Sequence, residues 1–240
     1  MINTILFDLD GTLLQMTQDD FLNAYLTKLG KVFTGFGLDA QEAIGALWAG
    51  TKAMAQNDGT VYNSQRFWDT FSQCLGLNDA KRCEIEAACD SFYSGAFNEV
   101  KSVMKPTDIS KRTVLAMREK GYTVVLATNP VFPFPAVVSR LAWIGLETSD
   151  FDYITYYTNS TYCKPNPGYY KEIFSKIGKT PVECLMVGNS PTEDMCIQEL
   201  GACVFLVTGY LEGEAGVDIT SLKSGSLEEL EEYLISLPNA

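Results

Sequence analysis

The sequence predicts an α/β fold: a doubly wound parallel sheet carrying an inserted α-helical bundle after its first strand. Three observations lead there. An apolar run, Ile5-Leu6-Phe7, breaks off into Asp8-Leu9-Asp10-Gly11-Thr12. About ninety residues of helical pattern follow. From Pro106 onward, helical and strand patterns alternate, as a parallel sheet with crossover helices requires.

In the insertion, Asp19 and Asp20 precede the apolar positions Phe21, Ala24, Tyr25 and Leu29, and Gly30 is read as the stop. Asp39-Ala40-Gln41-Glu42 is a capping box leading into Ala43, Ile44, Leu47 and Trp48. Asn63 or Ser64 opens a third helix through Phe67, Trp68, Phe71 and Leu75, ended by Gly76. Asn78 or Asp79 opens a fourth with Ile85, Ala88, Cys89 and Phe92 on one face. Short connections between four such helices predict a small bundle. Its aromatic residues (Phe21, Tyr25, Trp48, Tyr62, Phe67, Trp68, Phe71, Phe92, Tyr93) are at helical spacing and are expected mostly in the bundle core.

After Pro106, Thr107 caps a helix to Lys120, and Tyr122–Ala127 is a buried strand ending in Thr128-Asn129-Pro130. A helix near 136–141 precedes a strand at Tyr153–Thr155. A helix then starts at Pro167, a strand spans Cys184–Val187, and a helix follows Ser190. The strand Val204–Val207 and a helix from Leu227 complete the chain. The expected division is therefore residues 1–15 with 105–240 as the α/β core and 16–104 as the helical insertion. Hinges are expected at 14–17 and 98–106.

The 240 residues carry a net charge of −12 and no histidine. That field argues against nucleic acid or an anionic membrane as partner, and no apolar run approaches the ~20 residues of a membrane span. The absence of histidine excludes His-based triads and His-ligated zinc. Seven cysteines without a CxxC pair read as reduced, buried thiols, and no leader pattern is seen, so the expected location is cytoplasmic. The expected assembly is a monomer or a homodimer.

Doubly wound sheets bind ligands at the carboxyl ends of their strands. That rule gathers Asp8 and Asp10 from the first strand, Thr128 and Asn129 from the second, Lys164 from the segment after the third, and Gly188-Asn189-Ser190 from the fourth. Asp8 and Asp10, two apart, leave the sheet on one side, and two such carboxylates need a cation between them or a shared proton. A strand cap followed by an Asp-Gly turn is the plainer reading of the pair. Asn166 and Pro167 make a sound helix start but leave Lys164 unexplained; in a pocket with carboxylates it would neutralise a bound anion. Ser190, Pro191 and Glu193 fit a capping box, so Glu193 is read as a cap, whereas Asp194 is left to face the site. The Thr128 hydroxyl suits either a turn or a phosphate oxygen.

Taken together, these residues resemble the haloacid dehalogenase superfamily of Mg²⁺-dependent phosphohydrolases. Asp8-Leu9-Asp10-Gly11-Thr12-Leu13 is similar to its first motif, Thr128 in Ala-Thr-Asn-Pro to the second, Lys164 in Lys-Pro-Asn-Pro to the third, and Gly188-Asn189-Ser190 through Asp194 to the fourth. The insertion sits where the subfamily containing phosphoglycolate phosphatase and β-phosphoglucomutase has its helical cap, on a Rossmann-like core. The resemblance implies Asp8 as nucleophile, Asp10 as general acid and base, and Thr128, Asn129 and Lys164 on the phosphoryl group. It also implies Mg²⁺ held by Asp8, the Asp10 carbonyl, Asn189 and Asp194, and a small phosphorylated metabolite as substrate. Many relatives have an acid at position 189; the amide implies weaker Mg²⁺ binding. Dehalogenases share the nucleophile but typically lack the second aspartate, and a phosphonatase would need a lysine from the cap, with Lys28, Lys31 and Lys52 available. A sugar-phosphate mutase would use the same residues, and a noncatalytic phospholigand- or partner-binding protein is the alternative of a different class.

Overall fold

The computed structural model describes residues 1–213 and 217–240. Strands β1 (Thr4–Phe7), β2 (Thr123–Leu126), β3 (Tyr153–Ile154), β4 (Cys184–Gly188), β5 (Cys203–Val207) and β6 (Ser224–Gly225) form one parallel sheet in the order β3-β2-β1-β4-β5-β6. The direction of winding reverses between β1 and β4, where this sheet type opens its ligand crevice. Register places the three strand ends level: Phe7 is opposite both Leu126 and Val187. The next residues, Asp8, Ala127 and Gly188, therefore leave the sheet together.

Alternation along the strands sends side chains to two cores. Ile5, Phe7, Val124, Leu126, Leu185 and Val187 pack in the larger cluster, which continues into the helical insertion. Leu6, Val125 and Met186 pack on the other face against Tyr169, Tyr170 and Ile173 of α7 (Pro167–Ile177).

Between β1 and α5 (Ile109–Glu119) the chain forms α1 (Gln18–Gly35), α2 (Ala40–Ala55), α3 (Asn63–Leu75), α4 (Asp79–Ser94) and a 3-10 helix, Ala96–Val103. The remaining helices are α6 (Phe134–Trp143) and α8 (Leu227–Ser236). The two chain segments joining insertion and core run side by side, with Lys105 N–H donating to the Gln15 carbonyl at 2.8 Å.

Several expectations are corrected. Helix α1 does not stop at Gly30. Phe21, Tyr25, Leu29 and Phe33 form one buried stripe at four-residue spacing, and that burial outweighs the propensity cost of a glycine whose Cβ position faces open space. Neither Asn63 nor Ser64 caps α3. Tyr62 takes that position without a side-chain bond, while Asn63 is fully buried and donates to the Pro130 and Tyr162 carbonyls at 3.3 and 3.2 Å. Ser190 starts no α-helix: a turn leads to a 3-10 helix, Met195–Leu200. The cysteines are all free but not mostly buried. Cys89, Cys163 and Cys184 are buried, whereas Cys74, Cys83 and Cys203 are exposed, the first two on α3 and α4 and the third at the start of β5. The two-residue strand β6 carries no periodic signal. No helix among the described residues is long and apolar enough to cross a membrane.

Candidate active site

The level strand ends create the site. Asp8 N–H donates to the Val187 carbonyl at 2.9 Å, fixing the residue in continuation of the sheet with its carboxylate directed into the crevice. Gly11 then turns the chain at φ 77°. A Cβ here would lie 2.1 Å from Asn189 Nδ2, so close approach as well as backbone conformation requires glycine. The turn brings Thr12 back beneath Asp8. Its hydroxyl lies 3.0 Å from Asp8 Oδ2 and 3.3 Å from Asn189 Oδ1.

The other oxygen of Asp8 accepts from Lys164. The ammonium is 2.8 Å from Asp8 Oδ1 and 2.6 Å from Asp194 Oδ1, and all three side chains are buried. Burial opposes the lysine's charge, but the two carboxylates outweigh it and hold its proton affinity well above the ordinary lysine value. Asp194 Oδ2 accepts the Ser190 N–H at 3.0 Å, so donors occupy both its oxygens. Burial pushes its proton affinity up and Lys164 opposes the shift. With two donors in place, the ionised carboxylate is the form that satisfies the geometry. Gly188 makes this packing possible, since a Cβ there would stand 2.2 Å from the Asp194 carboxyl.

Asp10 has a different partner. Its carboxylate accepts from the Arg140 guanidinium of α6, which is fully buried, also donates to the Ala136 carbonyl at 3.2 Å and stacks 4.4 Å from the Phe132 ring. Burial raises the proton affinity of Asp10, Arg140 lowers it, and Asp8 raises it again. The two motif-one carboxylates are thus separated electrostatically, each with its own cation, rather than sharing one. Nothing in the sequence marks Arg140, which lies mid-helix among apolar residues.

Asn189 is buried, and its amide nitrogen donates to the Tyr210 carbonyl at 2.6 Å, which turns Oδ1 toward Thr12 and Asp8. Thr128 is buried at the end of β2 and lines the cavity, while Tyr169 and Thr155 hydroxyls hold its carbonyl at 2.9 and 2.7 Å. Asn129 donates to Glu193 Oε2 at 3.0 Å. Glu193 is therefore not the side-chain cap expected of it. Ser190 Oγ does accept the Glu193 N–H, but the reciprocal Ser190 N–H is taken by Asp194, leaving the Glu193 carboxylate in the cavity wall. Glu212, which sequence reasoning missed because it lies in an irregular loop, lines the same cavity and donates its N–H to the Asn189 carbonyl at 3.1 Å. Burial, followed by repulsion from Asp8, Asp10, Glu193 and Asp194, pushes its carboxyl up to about 8.

All seven residues expected at the site converge: Asp8, Asp10, Thr128, Asn129, Lys164 and Asn189 line one cavity of about 320 Å³, and Asp194 supports Lys164 from behind. The far wall comes from α1–α4, and six of the nine aromatic residues expected in the bundle core line it: Phe21, Tyr25, Trp48, Phe67, Trp68 and Tyr93. None of Lys28, Lys31 and Lys52 does so.

The donor chemistry suits a hard divalent cation. Among the described residues, five acidic side chains (Asp8, Asp10, Glu193, Asp194, Glu212) face two cations, Lys164 and Arg140, and Asp10 Oδ1 is buried without a partner. Among the described residues no three acidic, cysteine or histidine side chains are placed to hold a metal by themselves. A cation here would rest on Asp8, the Asn189 amide oxygen, backbone oxygen and water, which fits Mg²⁺ and its retained waters rather than zinc.

Comparison with known proteins agrees with this geometry. The chain is 27% identical over 215 residues to a phosphoglycolate phosphatase of Vibrio vulnificus, covering 89% of this chain and 87% of the relative. It is 22% identical over 218 residues, with the same coverage, to the pyrophosphatase PpaX of Bacillus cereus. Among solved structures, a HAD phosphatase from Thermococcus onnurineus superposes with a TM-score of 0.61 at 20% identity over all of both chains. A 2-haloacid dehalogenase from Pseudomonas syringae gives 0.63 at 18% identity over 98% of each chain. At those identities the likeness is one of fold. Residues 2–195 match the family model for haloacid dehalogenase-like hydrolases, and the chain belongs to that family.

Proposed function

We propose that the protein is a Mg²⁺-dependent phosphomonoesterase acting on a small phosphorylated metabolite through an aspartyl-phosphate, with residues 16–104 forming the cap over the core. The observation that carries this reading is the Lys164 ammonium between Asp8 and Asp194, beside an Asp8 carboxylate that opens on the cavity. A lysine so held pairs with the Asp8 carboxylate and offers positive charge to phosphoryl oxygens that the −12 net charge would otherwise repel.

In the first half-reaction, Asp8 attacks phosphorus while the ester P–O bond breaks and Asp10 gives its proton to the leaving oxygen. Burial, which raises the proton affinity of Asp10, favours that role. In the second, Asp10 takes a proton from water, whose oxygen attacks phosphorus, and the P–O bond to Asp8 breaks to release phosphate. Thr128 and Asn129 orient the phosphoryl oxygens, and Lys164 stabilises their charge as it spreads in the transition state. When bound, Mg²⁺ supplies the remaining positive charge, held by Asp8, the Asp10 carbonyl and Asn189. Asp194 acts through Lys164.

Phosphate release from p-nitrophenyl phosphate tests the reading. Turnover should require Mg²⁺, fall to background with a chelator and return on readdition. The apolar walls favour a second reading, a hydrolytic dehalogenase, while Asp10 opposes it. Metal-independent halide release from 2-chloropropionate, without phosphate release from any ester, would establish that alternative. The seven free cysteines support action in a reducing compartment such as the cytoplasm.

A further inference from the structure

The cavity has two chemically different halves. At its floor are the strand-end residues, with Lys164 the only lysine or arginine lining the cavity among the described residues. The helical half is aromatic and aliphatic, and several of its polar tips already have partners. The Tyr25 and Tyr93 hydroxyls lie 2.6 Å apart, Trp68 Nε1 faces the Tyr157 hydroxyl at 3.4 Å, and the Thr51 hydroxyl donates to the Leu47 carbonyl at 3.0 Å. Three cations of the insertion are drawn elsewhere, Lys28 to Glu99, Arg66 to Asp58 and Arg82 to Asp69, and Lys31, Lys52, Lys81 and Lys101 do not line the cavity. Arg140 is held behind Phe132 by Asp10 and does not line the cavity. The remaining ionisable groups in the walls are acidic, Asp90 on α4 and Glu193 and Glu212 nearer the floor.

We propose that this cavity selects phosphomonoesters whose alcohol portion is apolar and uncharged, and that it rejects substrates bearing a second anionic group. The inference rests on the phosphomonoesterase reading. A phosphoryl group satisfies Lys164 and the floor, and an aryl or alkyl group is then desolvated against aromatic faces. A carboxylate or second phosphate would enter the same walls with no lysine or arginine beyond Lys164 to pair it among the described residues, and with three acidic side chains in the lining. Phosphoglycolate and pyrophosphate, the compounds in the names of the two relatives above, both carry that second anion. The chain would therefore differ from both relatives in substrate.

The test compares kcat/KM for benzyl phosphate, 2-phosphoglycolate and inorganic pyrophosphate with the wild-type protein and saturating Mg²⁺. Benzyl phosphate and phosphoglycolate are both esters of primary alcohols, so leaving-group reactivity does not set the ranking. The expected result is at least a tenfold preference for benzyl phosphate over each of the others. Equal or reversed values overturn the inference while leaving the phosphomonoesterase reading intact. If no ester is turned over, that reading fails, and calorimetric binding to the Asp8→Asn protein decides the cavity on its own. Tighter binding of benzyl phosphate than of phosphoglycolate upholds the selection. Equal affinity, or no binding of either, overturns it.

Discussion

Arg140, wholly buried on α6, binds the carboxylate of Asp10 at the end of β1, so the second acid of the Asp8-Leu9-Asp10 pair has a cation of its own. Lys164 serves Asp8 and Asp194. Two acids two positions apart in sequence are thereby given different electrostatic surroundings, which is what a nucleophile and a proton carrier require.

Replacing Arg140 by Met should remove one partner of a largely buried ion pair and leave Asp10 uncompensated. The expected destabilisation is about 3 kcal/mol, toward the low end for buried pairs because Asp10 keeps partial exposure. Adding Asp10→Asn to Arg140→Met should recover part of the loss. Urea unfolding of the two single variants and the double variant measures the coupling; additive effects would show that the pair does not interact.

Asn189→Asp should tighten Mg²⁺ binding on the order of tenfold, or about 1.4 kcal/mol, by adding a charged oxygen ligand beside Asp8. Without metal the same change should lower the melting temperature, because it adds a carboxylate to a site where five acidic side chains face two cations. Calorimetric titration with Mg²⁺ and thermal melts in chelator read the two effects separately. Unchanged affinity would place the metal away from residue 189.

Thiol reactivity should divide the cysteines by position. Burial pushes Cys89, Cys163 and Cys184 each up to about 12, so at pH 8 their thiolate fraction is negligible as well as shielded. The exposed Cys74, Cys83 and Cys203 should react with a disulfide reagent in the native protein, the half-buried Cys196 more slowly, and the buried three only on unfolding. Counting modified residues by mass spectrometry before and after denaturant checks this.

What could be read in the sequence was whatever leaves a local trace. Strand ends marked by Asp8, Thr128 and Asn189 are legible because apolar runs stop abruptly there, and the rule for doubly wound sheets turns those stops into one location. Gly30 misled because a glycine reads as a helix stop, while the four-residue stripe ending at Phe33 continued past it. Arg140 was invisible for a different reason: burial of a charged side chain depends on a partner 130 positions away, and no local pattern records it. Glu193 fitted a capping box by spacing alone, but Asp194, one residue on, competes for the same N–H and wins it. Eight of the nine aromatic residues expected in the bundle core lie on helices, Tyr62 being the residue before α3, yet periodicity cannot say whether a buried face meets another helix or a cavity.

The central claim is that Asp8 is the nucleophile of a Mg²⁺-dependent phosphate-ester hydrolysis. Its most direct test is p-nitrophenyl phosphate turnover by wild-type protein and the Asp8→Asn variant, with circular dichroism confirming that both are folded. Wild-type turnover that depends on Mg²⁺ and falls by about three orders of magnitude or more in Asp8→Asn is the predicted result. A folded Asp8→Asn protein that retains turnover within a few-fold of wild type would contradict it.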